Sequence, residues 1–137
     1  SIDFYKMSSN NLFQFNTDNK NIFILGDEDQ LYRVFINLIK NSEDSLTEKK
    51  EKNKEFKGKI EVVINENREY IGIELIDNGI GIKDTKKIMT PYFTTKKDGT
   101  GLGLPIVNKI INEHSGDISI INLNPGVKIK INLPKFN

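Results

Sequence analysis

The sequence has no cysteine and only one histidine in its 137 residues. Without cysteine there is neither a disulfide framework nor a thiolate-bound zinc, which suits a reducing compartment. One histidine cannot make a histidine metal cluster. An excess of one charge is also missing: 20 basic residues stand against 19 acidic ones, a net charge of +1. That balance gives no electrostatic footprint for nucleic acid or an acidic membrane surface. No apolar run approaches the ~20 residues of a membrane span. No signal-like stretch follows Ser1, so the chain reads as a segment of a longer protein. What remains is 36% hydrophobic and 28% charged, ordinary for a globular chain of one domain with a proper core.

Periodicity divides the chain into short pieces. Residues 1–10 read as the tail of an upstream linker and 11–137 as the domain. "NLFQF" (Asn11–Phe15) and "NIFIL" (Asn21–Leu25) are strand candidates around the turn-like "NTDNK". Leu31, Val34, Phe35, Leu38 and Ile39 then recur at helical spacing, and Asp27 with Gln30 fits a capping box. The expected helix runs from about Glu28 to Leu46. The charged run from Thr47 to Lys59 suits a solvated loop and is given no role. Lys59–Asn65 and Tyr70–Asp77 are expected to form a hairpin around "ENRE", "NGIGI" breaks the strand, and "DTKKIM" has the length of a short helix. A second helix is expected from about Gly103 to His114, with Pro105 in its first turn, Ile106, Val107, Ile110 and Ile111 on one face, and Gly116 ending it. "DISIINL" and "VKIKINL", joined by "NPG", close the chain as another hairpin. This order predicts an α/β fold: a two-layer sandwich with helices on one face of a mixed, mostly antiparallel sheet.

Four groups of residues could carry chemistry. In "KKDGTGLGL", Gly99, Gly101 and Gly103 lead into the N-terminus of a helix, where free N–H groups and the dipole favour an anion. The run fits neither the Walker loop nor the dinucleotide fingerprint, so a flexible hinge competes with a phosphate cradle. Asn37 and Asn41 share a helix face continued by Ser45. The pattern is either a polar helix edge or oxygen ligands for Mg²⁺, with Lys40 or Arg33 within reach of phosphate. "DNGIG" sets Asp77 at the end of an apolar strand. It is a plain turn, or a carboxylate that accepts from an exocyclic amine such as that of adenine, with Gly79 and Gly81 permitting close approach. His114, at a helix end, reads as a structural residue near the dipole.

Taken in order, Asn-x-x-x-Asn on a helix, "DNGIG", "PYFTTK" and "GTGLGL" before a helix resemble the catalytic and ATP-binding domain of sensor histidine kinases. That domain belongs to the GHKL ATPases, shared with gyrase B, Hsp90 and MutL, and has the Bergerat-type ATP-binding fold. The resemblance spans roughly Ile22 to Pro134 and looks most like nitrogen-regulation sensors of the NtrY and NtrB type. It implies ATP and Mg²⁺ as cofactors. It implies that Asn41 holds Mg²⁺ and Asn37 sits by the phosphates, with Lys40 and Ser45 on the same helix near the nucleotide. Asp77 would bind the adenine amine, with Gly79, Gly81 and Ile82 lining the base. Phe93 would pack under the lid (Thr94–Asp98), and Thr95 and Lys96 would lie close to the phosphates. The backbone of Gly99, Thr100, Gly101, Leu102, Gly103 and Leu104 would cradle them.

Asn37, Asn41 and Lys96 are the expected catalytic residues. The hydrolases of the wider family place a glutamate where this chain has Asn37, and an amide has no useful pKa as a general base. The resemblance therefore implies phosphoryl transfer rather than efficient hydrolysis. The phospho-acceptor histidine would lie in a separate dimerisation domain, with a response regulator receiver domain as second partner. The resemblance implies a cytoplasmic position, without nucleic acid or direct membrane contact by this segment, and leaves open an anchor of the parent in the inner membrane. Two readings stand beside it: a degenerate nucleotide-sensing or docking module, and a serine kinase of the anti-sigma type.

Overall fold

The computed structural model describes residues 3–6, 12–17, 20–82 and 103–136. Its strands form two antiparallel sheets. Strands β1 (Asp3–Lys6), β2 (Leu12–Thr17) and β3 (Lys20–Leu25) make a three-stranded meander. Strands β4 (Ile60–Glu66), β5 (Tyr70–Asp77), β6 (Asp117–Asn122) and β7 (Val127–Pro134) form the second sheet, in the order β4-β5-β7-β6. Every pairing among the described strands is antiparallel, so the mixed character expected of the sheet is not seen there. The structure also adds a strand the periodicity missed: Asp3–Lys6 pairs with β2 inside the stretch read as a tail.

Two helices, α1 (Glu28–Lys52) and α2 (Gly103–Glu113), cover one face of the four-stranded sheet. Ile71, Ile73 and Leu75 of β5 and Val127, Ile129, Ile131 and Leu133 of β7 alternate inward. They meet Leu31, Val34 and Leu38 of α1 and Leu104, Val107, Ile110 and Ile111 of α2. Each such side chain, fully buried, contributes about 1.5–3 kcal/mol relative to exposure. β-branched isoleucine and valine suit a strand buried on one face, which is why these positions read as strands at all.

Helix α1 runs six residues beyond the expected end at Leu46. Its last turns are Lys and Glu, which are good helix formers. Lys49, Lys50 and Lys52 complement the C-terminal dipole, and Asn53 closes the helix by donating its N–H to the Lys49 carbonyl at 3.0 Å. At the other end the expected capping box is half made. Asp27 Oδ1 accepts from the Gln30 N–H at 3.0 Å. The Asp27 N–H does not return to Gln30; it donates to His114 Nε2 at 3.0 Å.

His114 Nδ1 lies 2.8 Å from the Ile110 carbonyl oxygen, so the proton sits on Nδ1 and the ring ties the end of α2 to the start of α1. The N-terminus of α2 lies against the middle of α1, so the helices run antiparallel. The left-handed residue that ends α2 is Ser115 (φ 61°), not Gly116. Gly116 follows it because a Cβ there would overlap the Asn132 carbonyl oxygen.

Candidate functional site

Asp77 ends β5 on the inward-facing register and is only 6% exposed. A buried carboxylate needs donors, and each of its oxygens has one. Ser42 Oγ donates to Oδ2 at 3.1 Å, and the Gly79 N–H donates to Oδ1 at 2.9 Å. A carboxylate offers about four lone-pair positions. Two donors therefore leave room for a further one, such as an amine. Ser42 was missed in the sequence. Its signal was there, since it continues the inward spacing of Leu31, Val34 and Leu38 as a polar residue.

The loop after Asp77 lies directly on α1. A Cβ at Gly79 would overlap Ser45 Oγ, and that same Oγ accepts from the Ile80 N–H at 2.9 Å. Ser45 is thus a loop anchor. Gly81 holds φ +81°, where a side chain would be strained, and its Cβ would meet Asn122 Oδ1 at 2.8 Å. Asn122, on β6, accepts from the Ile82 N–H at 3.0 Å. Ile82 packs at the edge of the core.

Asn37 and Asn41 are half-buried, one turn apart on α1. A Cβ at Gly103 would sit 3.8 Å from Asn41 Nδ2 and 3.9 Å from Asn37 Oδ1, so the first residue of α2 faces the amide pair. The positive dipole end of α2, whose first-turn N–H groups have no partner within the helix, is therefore beside two amide side chains. Leu104 is buried in the core and has only its backbone to offer a ligand. Lys40 and Arg33 are exposed. Phe93, Thr95, Lys96, Gly99, Thr100, Gly101, Leu102, the Thr94–Asp98 lid and the expected short helix at "DTKKIM" lie outside the described residues. Among the described residues no three His, Cys, Asp or Glu side chains cluster as metal ligands. An ion here would take most of its ligands from phosphate and water, as Mg²⁺ does.

Beside the buried carboxylate that ends β5 and the amide pair that faces the start of α2, the chain as a whole matches a known family. The model of the histidine kinase-, DNA gyrase B- and HSP90-like ATPase matches residues 26–137. The chain belongs to that ATPase family. It is 38% identical over 117 residues to sporulation kinase A of Bacillus subtilis (strain 168), covering 83% of this chain and 18% of that protein. It is 34% identical over 135 residues to an NtrY-like sensor histidine kinase of Rickettsia bellii (strain RML369-C), covering 95% of this chain and 21% of that protein. Its fold matches the catalytic domain of histidine kinase ThkA with a TM-score of 0.72 at 31% identity, covering 86% of this chain and 76% of that one. The ATPase fold is thus seen in the form that histidine kinases carry, and the chain spans about a fifth of the full-length relatives it matches.

Proposed function

We propose that this ATPase domain positions Mg–ATP for transfer of the γ-phosphoryl group to a histidine on a separate dimerisation domain of its parent protein, from which a response regulator receiver domain takes it. The observation that carries the reading is Asp77: a buried carboxylate, held by Ser42 and Gly79, with acceptor capacity left for the adenine amine. Asn37 and Asn41 beside the start of α2 support placement of the phosphates at the other end.

The amide oxygen of Asn41 is a hard donor suited to Mg²⁺, which when bound would neutralise phosphate charge. The chain's own contribution is positioning: Asp77 orients the base, and the amide pair and the N-terminus of α2 orient the triphosphate. Asn37 has no proton chemistry to activate water, which favours transfer over hydrolysis. No helix among the described residues is long and apolar enough to cross a membrane. We place the domain in the cytoplasm, where ATP and a receiver domain are both available.

The test is thermal stability with Mg–ATP, Mg–GTP and metal-free ATP. A ligand at a hundred times its dissociation constant adds about 2.7 kcal/mol. The expected result is a clear shift with Mg–ATP, a weaker one with Mg–GTP, and a change on removing Mg²⁺. No shift at millimolar ATP would defeat the reading.

A further inference from the structure

We infer that Lys49, in a segment with no counterpart among the four sequence motifs, is a positioning residue that fixes the adenine loop from behind. The inference rests on the nucleotide reading of Asp77 and adds a residue to it. Lys49 Nζ donates to the Asn78 carbonyl oxygen at 2.9 Å and to that of Gly79 at 3.4 Å. Those two carbonyls belong to successive peptide planes. In a trans peptide the C=O and the following N–H point in opposite directions.

The Asn78–Gly79 plane is therefore held at both ends. Its carbonyl is taken by the Lys49 ammonium, and its N–H is aimed at Asp77 Oδ1 at 2.9 Å. The next plane repeats the arrangement. Its carbonyl faces Lys49, and the Ile80 N–H donates to Ser45 Oγ at 2.9 Å. A positive charge on the carbonyl side polarises each peptide and strengthens the N–H as a donor. Lys49 thus acts on the Asp77 carboxylate through a peptide bond without touching it.

Nothing apolar could do this from the same side. Between the end of α1, the loop and the β6–β7 hairpin lies a groove of about 820 Å³, lined in part by Glu48, Lys49, Lys52, Ile80 and Asn122. Lys49 reaches the loop from that side, with its ammonium 4.7 Å from the centre of the Phe56 ring. The residues before β4 complete the brace. The Lys59 N–H donates to Asn78 Oδ1 at 2.8 Å, and Asn78 Nδ2 donates to the Lys57 carbonyl at 3.0 Å.

The experiment compares wild type, Lys49→Met and Lys49→Arg. Affinities for Mg–ATP and for Mg–tripolyphosphate, which has no base, are measured together with the Gly79 and Ile80 amide resonances of the nucleotide-free protein. The expected result for Lys49→Met is about a tenfold loss for ATP, an unchanged affinity for tripolyphosphate, and movement of both amide resonances. Lys49→Arg keeps the charge and should restore most of the ATP affinity. Unmoved amides, or moved amides with unchanged ATP affinity, overturn the role of Lys49. Equal losses for ATP and tripolyphosphate also overturn it, because they mark general destabilisation. Should wild type bind no ATP while Lys49→Met still moves the two amides, the nucleotide reading fails and the brace on the loop stands.

Discussion

The two ends of the proposed nucleotide site are built differently. At the proposed base end, Asp77 is buried and the groups around it are held by direct hydrogen bonds: Ser42 and Gly79 on the carboxylate, Ser45 on Ile80, Asn122 on Ile82. At the proposed phosphate end, two neutral, half-buried amides, Asn37 and Asn41, face the first residue of α2, 3.8–3.9 Å from where a Cβ on Gly103 would sit. The difference suits what we propose each end to hold. A base is recognised by a fixed pattern of donors and acceptors, so reorganisation on binding would cost affinity. A triphosphate with its cation would arrive hydrated and strongly charged, and would be met by a helix dipole and amide oxygens, with water supplying further ligands to the cation.

The largest effect should come from breaking the base end. Asp77→Asn keeps the shape and replaces one acceptor oxygen by an NH₂ donor, which then faces a donor in Ser42, in Gly79 or in the adenine amine. Adenine nucleotide affinity should fall at least tenfold, ~1.4 kcal/mol, with little change in the affinity for tripolyphosphate. Calorimetric titration with both ligands checks it, and unchanged ATP affinity would remove Asp77 from the site.

The proposed phosphate end should respond with a different signature and by less. Asn41→Ala removes one neutral oxygen from the set that a cation could use, an effect of about 1 kcal/mol on the scale of a single polar contact. The signature is a changed Mg²⁺ dependence of ATP binding, with the preference for ATP over GTP retained. A preference that collapses along with the metal dependence would show that the two ends are not separable.

The same contrast explains what could be read before the structure. Strands β5 and β7 were legible because inward isoleucines alternate with polar residues, and α1 because Leu31, Val34 and Leu38 recur at helical spacing. Asp77 was legible because a carboxylate closing an apolar strand before two glycines is an unusual place for charge. Lys49 was not. Its partners are backbone carbonyls thirty residues away, and a lysine in a Lys/Glu run carries no mark of a tertiary contact. The same ambiguity cut α1 short at Leu46, because charge density argues equally for an exposed helix and for a loop. The role of His114 was hidden for a similar reason: it bonds the Asp27 N–H, 87 residues away in sequence.

The smallest expected effect is a control that spares both ends. Ser115 holds φ 61° as the left-handed residue closing α2, with the Gly116 N–H donating to the Ile111 carbonyl at 2.9 Å and the Ser115 N–H to that of Asn112 at 3.0 Å. Glycine adopts that conformation without the clash between Cβ and the following carbonyl, a clash that costs roughly 1–2 kcal/mol. Part of the gain is lost because glycine makes the unfolded chain more flexible, by about 0.4–1 kcal/mol. Ser115→Gly should therefore stabilise the fold by about 0.5–1 kcal/mol in denaturant titration. Because Ser115 is exposed and lies at the far end of α2 from Gly103, both affinities should stay at their wild-type values. A gain in stability that also tightened ATP would mean that the helix layer as a whole, and not the local pairing around Asp77, sets how well the base end is formed.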